Sequence, residues 1–134
     1  MGLAGGVAVA VAGLKPWRAL IEITAPPLPG RLAALLGHRR SAGVVGREYL
    51  RVADAERTAE ELLDRLVAGL PGGREAVEPA SRSELHELVV AAIDRDFADE
   101  RTVRLRGWIV SRTEARLCAL VATRRSNGPF HRRV

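Results

Sequence analysis

The stretch from Asp96 to Val121, DFADERTVRLRGWIVSRTEARLCALV, leaves a folding chain few options, because a helix end, an extended pair and a capped helix follow one another without a spacer. Thr102 to Val110 alternates Val103 and Leu105 against Arg104 and Arg106, passes Gly107 and continues through Trp108 and Ile109. That alternation, interrupted by a glycine, predicts a small β-ribbon or extended arm, with Gly107 allowing a bulge or tight bend. Ser111 and Glu114 have the spacing of a capping box, in which the hydroxyl and the carboxylate each satisfy an orphan amide. They open a helix predicted to run to about Thr123. Upstream, Ser81 and Glu84 repeat the signature, and Leu85, Leu88, Val89, Ala92, Ile93 and Phe97 give that helix one apolar side. Its outer face ends in Asp94, Asp96, Asp99 and Glu100, and Arg101, Arg104 and Arg106 follow. The change of sign predicts local pairing instead of a metal site.

The preceding segments must pack on these elements. RLAALLG, Arg31 to Gly37, predicts a short helix with Leu32, Leu35 and Leu36 on one face and a glycine stop. His38, Arg39 and Arg40 read as a basic turn, and Ser41 as the N-cap of AGVVGREYLRV. There Ala42, Val45, Tyr49 and Val52 share a stripe, while Gly46 permits close approach of another helix. Asp54 is expected to cap a helix carrying Ala59, Leu62, Leu63, Leu66, Val67 and Leu70 at helical spacing, with Glu56, Glu60, Glu61, Asp64 and Arg65 facing water. Pro71, Gly72 and Gly73 end it, and Arg74 to Ala80 reads as a loop. The predicted class is mainly α: four or five short helices in an orthogonal bundle with one small β-ribbon near residues 102–110. A chain of 134 residues, 47% hydrophobic and 28% charged, suits one domain.

Three segments are expected: an apolar leader or anchor with a Pro-rich linker at 1–29, a helical domain at 30–123 and a basic tail at 124–134. Gly2 to Leu14 is uncharged and made of small or apolar residues. At about 1.5 Å per helical residue it covers roughly 20 Å, short of the roughly 30 Å hydrocarbon core. It matches the apolar region of a secretory signal, including the twin-arginine (Tat) type, although neither a basic start nor twin arginines are in the sequence. A retained anchor and a packed N-terminal helix are the other readings. Trp17, between Pro16 and Arg18, suits an interface anchor or a core position. Leu20 to Thr24 could form a strand before Pro26, Pro27 and Pro29 impose an extended linker. The net charge of +5 arises mainly in the tail, where Arg124, Arg125, Arg132 and Arg133 face no acid.

No catalytic pattern is complete. No GxSxG, GxGxxG or phosphate-binding glycine loop occurs, and one cysteine excludes the common structural zinc sites. Glu84 and His86 are two apart and do not share a helix face, so a di-iron motif fails. Cys118 sits in a helical pattern and reads as a buried small hydrophobe. Asp96, Asp99 and Glu100 read as solvated acids. No cofactor is expected.

DFADERTVRLRGWIVSRTEARLCAL looks like the C-terminal portion of a type of small bacterial exported protein. Over about residues 30–122 the chain resembles the small accessory subunits grouped with gluconate 2-dehydrogenase subunit 3, on the helix start Thr113, Glu114, Ala115 and the pair Tyr49, Leu50. The resemblance implies a non-catalytic accessory role: assembly, export or docking of a larger, flavin-containing dehydrogenase subunit whose cofactor is bound elsewhere, in an exported or membrane-associated setting. Membrane contact is expected through residues 2–18. Candidate partner contacts are Trp17, Arg104, Arg106, Trp108 and Ile109, with Trp108 either presented to a partner or packed in the core. The alternative is a small cytoplasmic nucleic-acid-binding protein using Arg39, Arg40 and the C-terminal arginines, although no helix is basic along one side and the aromatics expected of single-strand binders are missing.

Overall fold

The computed structural model describes residues 27–53, 55–56 and 58–126, which form six helices and one ribbon. In chain order these are α1 (Leu28–Ala33), α2 (Arg39–Val52), α3 (Ala59–Gly69), α4 (Gly73–Val77), α5 (Arg82–Ala98), β1 (Thr102–Leu105), β2 (Trp108–Ser111) and α6 (Arg112–Ser126). The mainly helical class and the ribbon at the expected place are both observed. The extra helix is α4, where a loop was expected. Gly72 takes a left-handed φ of 78° and redirects the chain, after which Gly73 to Val77 make a single short helix that buries Val77.

Local chemistry explains most of the boundaries. Capping boxes open α5 at Ser81 and Glu84 and α6 at Ser111 and Glu114, as the spacing predicts. A third opens α3, but from Thr58 and Glu61, not Asp54, which lies outside the described residues. α1 begins earlier than expected because Pro29 falls in its first turn, where a missing N–H costs nothing; Pro29 is therefore helical and not part of an extended linker. α2 also begins early. His38 is its N-cap, so Arg39 and Arg40 form its first turn and Ser41 lies inside it. α6 continues past Thr123 to Ser126, which makes Arg124 and Arg125 helical. The leader, the 20–24 strand, Trp17 and the tail from 127 lie outside the described residues.

The helices gather around α6. From Ala115 to Ala122 every residue except Arg116 is buried, and a helix apolar on all sides has to be enclosed. Leu117 and Leu120 join Leu66, Leu85 and Leu32 from α3, α5 and α1. Ala115 and Ala119 meet Tyr49, Leu62 and Leu105, while Cys118 and Val121 meet Ala33 and Ala42. Each fully buried leucine stabilises the fold by roughly 1.5–3 kcal/mol before entropy is subtracted. Gly46 of α2 is what lets the two helices cross closely, as expected. A β-carbon there would overlap the Cys118 carbonyl and stand 2.7 Å from the Ala119 amide nitrogen.

Several faces differ from the periodicity. Val52 and Phe97, expected on apolar stripes, are 58% and 47% exposed, although Tyr49 and Asp96 beside them in the same helices are buried. Glu56 and Asp96, expected in water, are only 3% and 5% exposed. Each is buried together with hydrogen-bond donors that the sequence places far from it.

Candidate docking surface

The ribbon turns on two residues with positive φ, Arg106 at 51° and Gly107 at 85°, the pattern that matches the twist of a tight hairpin. Its register pairs Leu105 with Trp108, Arg104 with Ile109, Val103 with Val110 and Thr102 with Ser111. Directly paired residues share a face. One face therefore carries Val103, Leu105, Trp108 and Val110 and the other Thr102, Arg104, Ile109 and Ser111. Leu105 is buried, and Val103 and Val110 pack beside it against Tyr49 and Ala119. Trp108 lies on that same inner face but is 74% exposed, since it overhangs the edge of the core at the hairpin end. Ile109, on the outer face, is 58% exposed. Core packing of Trp108 is thereby excluded within the described chain.

Below the overhang runs a groove of about 480 Å³ between the ribbon and α2, walled by Leu36, Val44, Val45, Cys118, Trp108 and Ile109. Val44, Arg47, Glu48 and Arg51 recur at i, i+3, i+4 and i+7 and so lie along one stripe of α2. Arg106 reaches from the turn to donate to Glu48 Oε1 at 3.1 Å, and Arg51 meets the same carboxylate at 3.3 Å. The hydrogen bond from Arg106 is the main influence holding the Glu48 carboxyl below the usual carboxylate range. The charged residues that line the groove are Glu48, Arg106 and Glu114, with Arg106 paired to Glu48, while the exposed Arg104 lies on the other face of the ribbon.

Two buried carboxylates join elements of the fold, Asp96 at the base of the ribbon and Glu56 among α2, α3 and α6. Asp96 Oδ2 accepts from the Thr113 amide at 2.8 Å and its hydroxyl at 2.7 Å, and Oδ1 lies 3.4 Å from Arg101 Nε. This ties the end of α5 to the first turn of α6, with Arg112 N donating to Arg101 O at 3.1 Å beside it. Arg101 also meets Asp99, so the local pairing expected at the sign change occurs there, whereas Arg106 pairs with α2 instead. Glu56 accepts from the Tyr49 hydroxyl and from Arg116, whose Nη2 is 2.7 Å from Oε1, with Arg65 at 3.7 Å. Burial works to raise the Glu56 pKa, but the bonds from Arg116 and Tyr49 outweigh it and the net shift is downward. Burial, then the bond to Glu56, raises Tyr49. Both carboxylates are fully engaged in joining elements. Cys118 is buried as expected, and its thiol is pushed up to about 11 by burial with a contribution from Glu114.

Four of the five expected partner contacts, Arg104, Arg106, Trp108 and Ile109, thus lie together on the ribbon, and Trp17 lies outside the described residues. The α2 half of the groove is an addition to the sequence reading. Its signal is present, since Val44, Glu48 and Val52 at i, i+4 and i+8 form a second stripe outside the core-facing one. Among the described residues no group of three His, Cys, Asp or Glu side chains could hold a metal ion, and no helix is long and apolar enough to cross a membrane. Comparison of the chain with protein-family models, with curated proteins and with solved structures finds no match.

Proposed function

We propose that the chain is a non-catalytic accessory subunit that docks onto a larger protein through the ribbon and the groove beside it. The observation that carries this reading is Trp108, held at 74% exposure on a hairpin whose base is clamped by buried hydrogen bonds. A rigidly presented aromatic beside an apolar groove is the form of an interface anchor. The occupant that suits it is an apolar segment flanked by Asp or Glu, its apolar part in the groove and its acid beside the exposed ribbon arginines Arg104 and Arg106. A second copy of this chain would set the same arginines against one another across a two-fold contact. The resemblance to gluconate 2-dehydrogenase subunit 3 proteins points to an exported or membrane-associated oxidoreductase complex, with a dehydrogenase subunit as the partner. Co-purification from native membranes tests this: the wild-type chain retains one stoichiometric partner, and the Trp108→Ser/Ile109→Ser variant loses it. Retention of the same partner by the variant sinks the reading.

A second reading, a basic nucleic-acid-binding protein, draws on a different observation: Arg39, Arg124 and Arg125 line one cleft. It requires an affinity for oligonucleotides that falls steeply with salt. A flat response ends it.

A further inference from the structure

A second concave surface, of about 540 Å³, lies between the start of α1, the start of α2 and the end of α6. Pro29, Leu120 and Val121 contribute to its floor, and Arg39, Arg124 and Arg125 line it. Arg125 Nη1 donates to the Arg39 carbonyl at 3.4 Å, which ties the Arg125 side chain to the first turn of α2. Arg124 packs its guanidinium against Gly30. The first turn of α2 carries no acidic residue, so the positive end of its dipole adds to the field instead of being neutralised.

What surrounds this cleft in the chain decides its partner. α1 begins at Leu28 and α6 ends at Ser126, so residues 1–26 and 127–134 both join the fold at its rim. The first of these segments contains the uncharged apolar run Gly2 to Leu14 followed by Lys15, Trp17 and Arg18. The second adds Arg132 and Arg133 and no Asp or Glu. An apolar run, an amphipathic aromatic and a basic cluster, in the segments that lead in sequence into and out of a cationic cleft, are the features that act together at an anionic bilayer surface. Among the described residues no aromatic side chain lines the cleft.

We propose that the cleft formed by Arg39, Arg124 and Arg125 takes the phosphate groups of an anionic phospholipid surface, so that this end of the fold faces a membrane. The proposal stands apart from the ribbon. α6 connects the two, with Arg112 at the ribbon and Arg125 at the cleft about 20 Å along the helix. A subunit built this way would hold a partner at one end and a bilayer at the other.

Sedimentation of the full chain with vesicles tests it, comparing pure phosphatidylcholine with phosphatidylcholine containing phosphatidylglycerol. The wild type should partition to the anionic vesicles and be released by raised salt. R39Q and R124Q should each lose about fivefold and R39Q/R124Q/R125Q on the order of a hundredfold. Thermal melting of each variant separates lost binding from lost folding, and the single variants carry the test if the triple one unfolds. Equal partition to both vesicle types, or an unchanged triple variant that is folded, overturns the proposal. So does binding to a single-stranded oligonucleotide, or stabilisation by inorganic phosphate alone, in a chain that leaves anionic vesicles in suspension.

Discussion

Gly46 of α2 lies directly against the Cys118 carbonyl of α6, with no room between the two backbones for even a methyl group. Gly46→Ala therefore forces the central helix pair apart, and overpacking of this kind costs about 1–3 kcal/mol or more. A methyl group on Gly69, at the end of α3, would meet nothing within 4 Å. Gly69→Ala should be neutral or stabilise by up to about 1 kcal/mol through helix propensity. Thermal melts of the two variants compare the predictions directly.

Arg116→Ala leaves Glu56 buried with Tyr49 and the half-exposed Arg65, and breaking a buried pair on one side costs about 3–5 kcal/mol. The pH dependence follows from the directions of the shifts. Glu56 is depressed in the fold, so its contribution is present above the ordinary carboxylate pKa of about 4.3 and is lost as pH falls through the folded value. Tyr49 is raised, so its contribution holds below about pH 10 and is lost as pH rises through the folded value. Denaturant melts across pH should show a shallower acid limb for Glu56→Gln and a shallower alkaline limb for Tyr49→Phe.

Asp96→Ala removes two hydrogen bonds to Thr113 and the contact with Arg101. The loss is about 1.5–3 kcal/mol, the range for bonds to a charged acceptor. Hydrogen exchange at the Thr113 amide should accelerate while amides in α3 change only with global stability. Uniform acceleration throughout would contradict a local clamp.

Trp108→Ser and Ile109→Ser should each change stability by no more than about 0.5 kcal/mol, because both side chains are exposed. Leu105→Ala, at the position paired with Trp108 in the register and buried, should cost about 2–5 kcal/mol. If Trp108→Ser destabilises as strongly as Leu105→Ala, Trp108 is a core residue.

Cys118 should react slowly with alkylating agents at neutral pH, since a buried thiol titrating near 11 supplies almost no thiolate. Rapid modification of the folded chain would contradict both its burial and its pKa.

Short-range rules make much of the fold legible in the sequence, though the Thr58–Glu61 box that opens α3 is just as local and Asp54 was expected in its place. The ribbon at 102–111 and the boxes at Ser81 and Ser111 depend on residues close to one another in the chain, and the approach at Gly46 on the absence of a single side chain. Glu56 and Asp96 escape such rules because their partners, Arg116 and Thr113, lie 60 and 17 positions away. Nothing local distinguishes a carboxylate with a distant buried donor from one in water. The exposure of Trp108 is hidden for the same kind of reason. Alternation assigns it to the inner face of the ribbon, which it occupies, but only the position of α2 shows that the core ends before reaching it. The run from Ala115 to Ala122 does contain the signal of a central helix, because its apolar residues occupy every side of the turn.

Docking through the ribbon is tested most directly by placing a photo-reactive amino acid at position 109 of the full chain, and separately at Val90, an exposed residue of α5. Crosslinking in native membranes should then give one covalent adduct, from position 109 alone, whose partner peptide carries apolar residues flanked by Asp or Glu. Absence of an adduct from position 109, or the same adduct from both positions, would contradict a partner seated on Trp108 and Ile109.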